Sequence, residues 1–401
     1  MTFGPKRGKN VSMPSNLQIQ LEALDRTGPE RTGRLVDVIL AEAVQCAASD
    51  VHFEPTHHSL EVRFRLDGVL HPMATLNRDF AANVVARLKV LAELLTYRQD
   101  IPQEGRLADG QARFGVDMRV STFPTIHGEK AAVRLFGAGA GVLDLDQVGL
   151  PDSLFAELRT LFLQRTGAIF LTGPSGSGKT TTLYACLRHL LRESGGGRHI
   201  VTIEDPVEQV LEGITQSQAR PGTEFDFARG LRSLLRQDPE IIMVGEVRDA
   251  DTAHVAIEAA LTGHLVLSTL HAGSACGVIS RLLEMGIETY LLTSGLKGIL
   301  NQRLLRRMCQ ACRRETEQGW QAAGCERCFG TGYRDRVLLA ELVTLDAPLR
   351  QAILSRADTM TLERCAQQSG RPTIWTAAER ALTMGLTTQH EIARVLGPRL
   401  V

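Results

Sequence analysis

The segment Gly173-Pro-Ser-Gly-Ser-Gly-Lys-Thr180 is a complete glycine-rich phosphate loop with the flanks such a loop requires. Gly167-Ala-Ile-Phe-Leu-Thr172 before it is an apolar run of strand length, and 181–191 after it repeats apolar residues at helical spacing. Gly173, Gly176 and Gly178 let the backbone bend until its N–H groups face a phosphate. Pro174, Ser175 and Ser177 complete the cradle, and Thr181 follows it into the helix. The helix N-terminus adds partial positive charge. Lys179 can reach β- and γ-phosphates, and the Thr180 hydroxyl can take Mg²⁺. A chance Gly/Ser-rich turn does not account for the full pattern between those two flanks. The segment predicts an α/β chain that binds a nucleoside triphosphate.

The rest of the chain extends this reading. Strand candidates at 168–172, 199–203, 241–244 and 264–269 alternate with helical patterns, giving a doubly wound core over 150–300. Ahead of it, 34–136 reads as a small α+β domain. There Leu35–Val44 suits an amphipathic helix, and the alternating Leu60–Leu66 meets the hairpin signal Asp67-Gly68. A long helix is expected from Phe80 to about Tyr97, with further strands around Asp109-Gly110 and His127-Gly128. Residues 1–33 show little periodicity and read as a flexible amino-terminal segment. Gly137-Ala-Gly-Ala-Gly141 opens a linker, 137–149, that is either a hinge or an ordinary surface loop. After the core come a cysteine-bearing lobe, 301–338, and a helical carboxy-terminal region, 339–401.

Composition excludes several classes. Lys plus Arg equals Asp plus Glu, 45 each, so the basic excess of a dedicated nucleic-acid binder is missing. No apolar run approaches the roughly 18 residues of a membrane span, and the basic start lacks the apolar stretch of a secretory signal. The expected location is the cytoplasm. Cys46, Cys186, Cys276 and Cys365 stand singly in apolar patterns and read as core thiols. Cys309-Gln-Ala-Cys312 and Cys325-Glu-Arg-Cys328 differ: two such knuckles supply four thiolates for one structural, tetrahedral Zn²⁺.

Acidic residues follow two strand candidates, where an α/β sheet presents its ligands. Glu204, Asp205 and Glu208 follow the first, and a carboxylate there can orient or deprotonate water for attack on a γ-phosphate. Glu246 follows the second and can hold the water shell of Mg²⁺. Arg229, Arg232 and Arg236 recur at spacings of one helix face, either solvated or directed at phosphate or a neighbouring subunit. His271 ends a further strand, where it can hydrogen-bond a γ-phosphate.

Taken together, these segments resemble the ATPase family of type II secretion and type IV pilus assembly, from about Arg34 to the end. The carriers are the phosphate loop, Thr202–Glu208 (similar to the family's aspartate box), Gly245–Asp249 (its Walker B) and Thr262–Ala272 (its histidine box). The cysteine pairs match its metal-binding lobe. Ser49–Pro55, Arg65–Gly68, Pro102–Arg106, Arg119–Pro124 and Gly128–Lys130 match its amino-terminal domain.

The resemblance implies a RecA-like core beside a smaller PAS-like α+β domain, and a homohexamer that binds ATP and Mg²⁺ between the two. Glu204 would prepare the attacking water, Glu246 would serve the metal and His271 would contact the γ-phosphate. Arg119, Arg134, Arg232 and Arg236 would steady it. The implied partner is an inner-membrane platform protein, which places the chain at the inner face of that membrane. The short stretch before Arg34 suggests a short-form member or a truncated chain, and the cysteine pairs speak against the pilus-retraction branch. A helicase-like or conjugation-type nucleic-acid motor is the alternative; neutral charge and 5% aromatic residues count against it.

Overall fold

Two kinds of apolar patterning build two different sheets. The computed structural model describes residues 16–24, 30–136, 143–220, 222–317 and 319–398. It divides into two units, Met1–Gly141 and Val142–Val401. The glycine-rich joint Gly137–Gly141 lies outside the described residues.

The first unit contains helices α1 (Asn16–Ala23) and α2 (Arg31–Gln45), strands β1 (Asp50–Pro55), β2 (Ser59–Leu66) and β3 (Val69–Asn77), and helix α3 (Phe80–Leu91). β4 (Gln103–Arg106), α4 (Gly110–Phe114), β5 (Asp117–Thr125) and β6 (Gly128–Phe136) complete it. The strands form one antiparallel sheet in the order β3-β2-β1-β6-β5-β4. Alternate residues of β2 are buried, as expected for a sheet with one face on a core. Phe53, Val62, Phe64 and Val133 pack there with Leu35, Ile39 and Leu40 of α2 and Val84 and Leu88 of α3. The turn after β2 has left-handed Asp67 (φ +47°) and Gly68 (φ +82°), matching its hairpin signal.

Two expectations change in this unit. The segment 1–33 is not wholly unpatterned, because α1 buries Leu17 and Leu21 in the same core. Their spacing of four residues places them on one face, in a stretch too short to register as periodic. The helix expected to reach Tyr97 stops at Leu91: Glu93 is left-handed (φ +56°), and the N–H groups of Glu93 and Leu94 bond back to Val90 and Lys89. That double capping ends a helix without needing a glycine. Strands do surround Asp109-Gly110, β4 before it and β5 after it, with the short α4 between them.

The second unit alternates helix and strand: α5 (Asp152–Phe162), β7 (Gly167–Thr172), α6 (Lys179–Glu193), β8 (Ile200–Glu204), β9 (Thr215–Gln218), α7 (Phe227–Leu234) and β10 (Ile241–Val244). It continues with α8 (Ala250–Leu261), β11 (Leu265–Thr269), α9 (Ala275–Glu284), α10 (Thr289–Gly295) and β12 (Leu296–Met308). β7, β8, β10 and β11 are buried along their whole length. Ala168 and Phe170 point into one core and Ile169 and Leu171 into another, so helices cover both faces.

β13 (Arg313–Thr316), β14 (Gly319–Ala322) and β15 (Tyr333–Thr344) follow, then α11 (Ala347–Leu354), α12 (Thr359–Gln368), α13 (Ile374–Thr383) and α14 (Gln389–Leu396). The sheet order is β15-β12-β7-β11-β10-β8-β9, parallel except for β15. β12 and β15 are thus sheet strands, although 301–308 and 333–338 were assigned to the cysteine lobe. Their side chains pair across the ladder, from Gly298 opposite Thr344 to Met308 opposite Tyr333. The cysteines sit in the segment 309–332 between the two strands, and the helices begin at Ala347.

α14 is fastened to β12 by a buried charge cluster. Glu391, fully buried, accepts from Arg306 N (3.0 Å), Nε (3.0 Å) and Nη2 (2.8 Å), and from Arg394 Nε (2.8 Å) and Nη2 (2.6 Å). Burial pushes its pKa upward, but the hydrogen bonds from Arg394 and Arg306 prevail and hold it at about 2. A depressed carboxylate stabilises the fold above its unfolded pKa and loses that contribution as pH falls through the folded value. Glu391→Gln is therefore expected to cost about 3 kcal/mol at neutral pH. The difference from wild type should shrink as pH falls from about 4.5 to about 2. Denaturant melts across that range check it; a pH-independent difference contradicts the assignment.

Candidate nucleotide and metal sites

The phosphate loop leaves the end of β7 and closes on the first turn of α6. Gly173, Gly176 and Gly178 all have positive φ, +147°, +75° and +85°. At Gly173 a Cβ would lie 2.4 Å from the Gln302 carbonyl of β12, so the loop can lie this close to its neighbour only without a side chain. Lys179 is buried, and its Nζ donates to the carbonyls of Gly173 (2.9 Å) and Pro174 (3.0 Å). Burial lowers its pKa, with Glu246 pulling the other way. The Ser177 hydroxyl is buried with no partner among the described residues. Such an orphaned donor in a cradle of inward-bent backbone suits an anionic ligand. Pro174, Ser175, Gly176 and Thr181 are exposed around it.

The acids after β8 differ in their surroundings. Glu204 is buried with both oxygens occupied: Oε2 accepts from Tyr184 Oη, and Oε1 accepts from Thr202 Oγ1 and Gln216 Nε2 (3.0 Å). Burial, reinforced by the hydrogen bond to Glu204, raises the Tyr184 phenol's pKa, so it remains a donor. Glu208 is exposed instead, and the Thr180 hydroxyl donates to its Oε1 at 3.4 Å. Sequence reading offers Glu204, Asp205 and Glu208 alike as candidates for holding water, and the family resemblance singles out Glu204.

Glu246 and His271 meet. His271 Nε2 lies 3.1 Å from Glu246 Oε1, while Arg248 Nε donates to Glu246 Oε2 at 2.7 Å and Arg248 Nη1 faces Asp205 at 3.7 Å. The ends of β10 and β11 are tied by Thr269 Oγ1 to the Gly245 carbonyl (2.8 Å) and by Val247 N to the Thr269 carbonyl (2.9 Å). Lys179, Glu246 and His271 thus gather at the carboxyl ends of adjacent strands, with Glu204 buried at the end of β8.

Arg232 and Arg236 are exposed, and neither has a carboxylate partner among the described residues. α7 ends at Leu234, so Arg236 sits just beyond it and donates to the Arg232 carbonyl at 3.1 Å. Arg119 and Arg134 lie in the first unit. Strand register sets Arg106 opposite Arg119, Arg119 opposite Arg134, Arg134 opposite Asp50, and Asp50 opposite Arg65. Four guanidiniums in this row share three carboxylates: Asp117 (2.6 Å from Arg106), Glu104 (3.3 Å from Arg119) and Asp50 (3.1 Å from Arg134, 3.3 Å from Arg65). Like charges directly opposed across a sheet repel unless an anion joins them. Arg65 and Arg106 escape sequence reading because only register brings them into the row.

Cys309, Cys312, Cys325 and Cys328 bring their sulfurs within 4.8 Å of one another. Measured separations are 3.8 Å (Cys309–Cys325), 3.7 Å (Cys312–Cys328) and 3.8 Å (Cys325–Cys328). A tetrahedron with metal–sulfur bonds of about 2.3 Å has edges of about 3.8 Å, so the donor set fits one tetrathiolate-bound cation. The N–H groups of Cys325 and Gly332, each at 3.2 Å, donate to Cys328 Sγ and orient it toward the cluster. Away from this cluster, burial pushes Cys46, Cys186 and Cys276 up to about 12, with Glu42 adding to the effect at Cys46.

The fold and these sites have known counterparts. Residues 25–394 match the family model of the type II/IV secretion system proteins. The chain is 42% identical to the putative type II secretion system protein E of Escherichia coli (strain K12), over 97% of this chain and 82% of that protein. It is 39% identical to the type II secretion system ATPase E of Vibrio cholerae, over 90% of this chain and 75% of that one. Among solved structures, the Legionella pneumophila ATPase DotB matches with a TM-score of 0.67 at 22% identity, covering 90% of this chain and 95% of DotB. The pilus retraction motor PilT matches with a TM-score of 0.59 at 26% identity, covering 90% and 96%. The chain belongs to the type II/IV secretion system protein family. It is a homologue of the type II secretion ATPase E proteins and is related to PilT. No helix among the described residues is long and apolar enough to cross a membrane.

The sulfur geometry makes a direct prediction. Reduced protein should carry one zinc per chain by elemental analysis, and Cys325→Ser should lose it. Metal-free wild-type protein of unchanged thermal stability contradicts a structural centre.

Proposed function

We propose that this chain is an ATP-hydrolysing hexameric motor that powers assembly of a type II secretion pseudopilus or a type IV pilus. It acts from the cytoplasmic face of the inner membrane through a platform protein. The carrying observation is the convergence of Lys179, the Thr180–Glu208 contact and the Glu246–His271 pair at the carboxyl ends of β7, β8, β10 and β11. In this reading the second unit is a RecA-like core, the first is PAS-like, and the tetracysteine lobe holds structural zinc.

The residues divide the work by position. Backbone N–H groups from Gly173 to Gly178 cradle phosphate, and Lys179 leaves the carbonyls of its own loop to meet β- and γ-phosphates. Thr180 and Glu246 hold Mg²⁺, directly and through water, and the ion neutralises charge that develops on the phosphate oxygens. His271 donates to the γ-phosphate. Glu208, exposed and beside Thr180, orients the attacking water. Glu204, the other candidate, has both oxygens engaged and holds the end of β8 against Tyr184. The Arg119–Arg134 row and the unpaired Arg232 and Arg236 supply further positive charge, which an assembled ring brings to one triphosphate.

Lys179→Ala should abolish ATP turnover while the fold persists. Glu208→Gln should bind ATP and lose at least about a hundredfold in kcat, whereas Glu204→Gln should lose less and destabilise the unit. The reverse order returns the water-orienting role to Glu204. Full turnover in Lys179→Ala overturns the site itself, and stimulation by single-stranded DNA, rather than by a platform protein's cytoplasmic domain, favours a nucleic-acid motor.

Assembly is tested separately. Specific activity should rise with protein concentration, and Arg119→Ala should lower turnover without abolishing ATP binding. A strictly monomeric, fully active protein contradicts the ring.

A further inference from the structure

Arg303 of β12 has surroundings that the functional reading leaves unexplained. Its guanidinium is half-buried, yet among the described residues its hydrogen bonds go only to neutral oxygens. Nη1 donates to Asn301 Oδ1 (2.6 Å) and the Gln302 carbonyl (2.8 Å), and Nη2 to the Gly273 carbonyl (2.6 Å). Among the described residues it forms no ion pair. Glu341, the acid that acts on it electrostatically, gives its oxygens to Asn301 Nδ2 (2.8 Å) and the Ile374 N–H (2.7 Å). Leaving a cation this way is costly unless its geometry matters.

Its position is telling. A Cβ on Gly173, the first glycine of the phosphate loop, would lie 3.2 Å from Arg303 Nη1. Gly273, at its other end, is two residues beyond His271. The intervening Ala272 is held to Thr172, at the root of the phosphate loop, by an N–H to Oγ1 bond of 3.1 Å. Arg303 and Thr172 therefore clamp the loop that carries His271 from two sides. His271 itself is half-exposed and, among the described residues, its side chain bonds only to Glu246.

We propose that Arg303 is a positioning residue. By fastening the Gly273 carbonyl to β12 beside the phosphate loop, it holds His271 where a γ-phosphate would lie, and so sets the preference for ATP over ADP. The planar fork matters more than the charge, because one group must reach Gly273 and the Asn301–Gln302 segment together. This rests on the proposed nucleotide site, and on His271 meeting only the γ-phosphate.

Affinities for ATP and ADP are measured on the full chain by displacement of a fluorescent nucleotide. Arg303→Gln should weaken ATP about tenfold, the range expected for one lost charge-assisted bond, and ADP less than twofold. Retained ADP binding shows that the variant is folded. Arg303→Lys, which keeps the charge but not the fork, should behave like Arg303→Gln. His271→Ala should reproduce the ATP-selective loss, and the double variant should add nothing to it. Equal weakening of both nucleotides, rescue by lysine, or additive losses each overturns the proposal. Lys179→Ala in the same assay separates the two readings: if it binds both nucleotides normally, the nucleotide site is wrong, whatever Arg303 does.

Discussion

The parallel pairing of β7 between β11 and β12 is the constraint on which the rest of this structure depends. A strand buried on both faces and paired on both edges has every backbone group satisfied within the sheet. Its carboxyl end is the one place where the chain must leave that ladder, and there it forms the phosphate loop. Both neighbours are needed. β11 delivers His271 beside the loop, while β12 presses the Gln302 carbonyl so close to Gly173 that no side chain fits. Most of the candidate site consists of loops cut to length by these registers.

The same pairing links the site to remote parts of the second unit. β12 runs on to Cys309, so one strand touches the phosphate loop at Gln302 and ends in the tetracysteine lobe. Midway, Arg306 holds Glu391 of α14 and stacks 4.1 Å from the Tyr333 ring. Asn301 passes contact through Glu341 to the start of α13, and Ser274 reaches Glu363 of α12 at 2.6 Å. Buried charge clusters of this kind cost desolvation and are disrupted by loss of one partner. These contacts tie the loop edge and β12 to the carboxy-terminal helices.

Charge is distributed unevenly in a chain whose net charge is zero. Carboxylates collect after β8 and β10, and guanidiniums collect on the sheet of the first unit and along and just after α7. Electrostatics between such surfaces are felt at short range, within roughly 8–10 Å at physiological salt. The opposed arginines of the first unit, with too few carboxylates for their number, are unfavourable in isolation and become favourable when an anion is present. An anion of high charge density is what the phosphate loop also fits.

What the sequence determined by itself is local. Glycines at 173, 176 and 178, the apolar strand before them and the helical repeat after them are contiguous, so their meaning survives without knowledge of the fold. The cysteine pairs are readable for the same reason: each knuckle is four residues long, and only the joining of two is non-local. The buried strands were legible because full burial demands unbroken apolar runs. Tertiary structure alone decided the rest. It closed Glu204 in among Tyr184, Thr202 and Gln216 and set the exposed Glu208 beside Thr180. It also aligned Arg65, Arg106, Arg119 and Arg134 across separate strands, carried β12 and β15 through what read as lobe, and set Arg303 between two loops. In each case the deciding partner lies on another strand or helix, and the pairing of elements far apart in sequence determines which side chains meet.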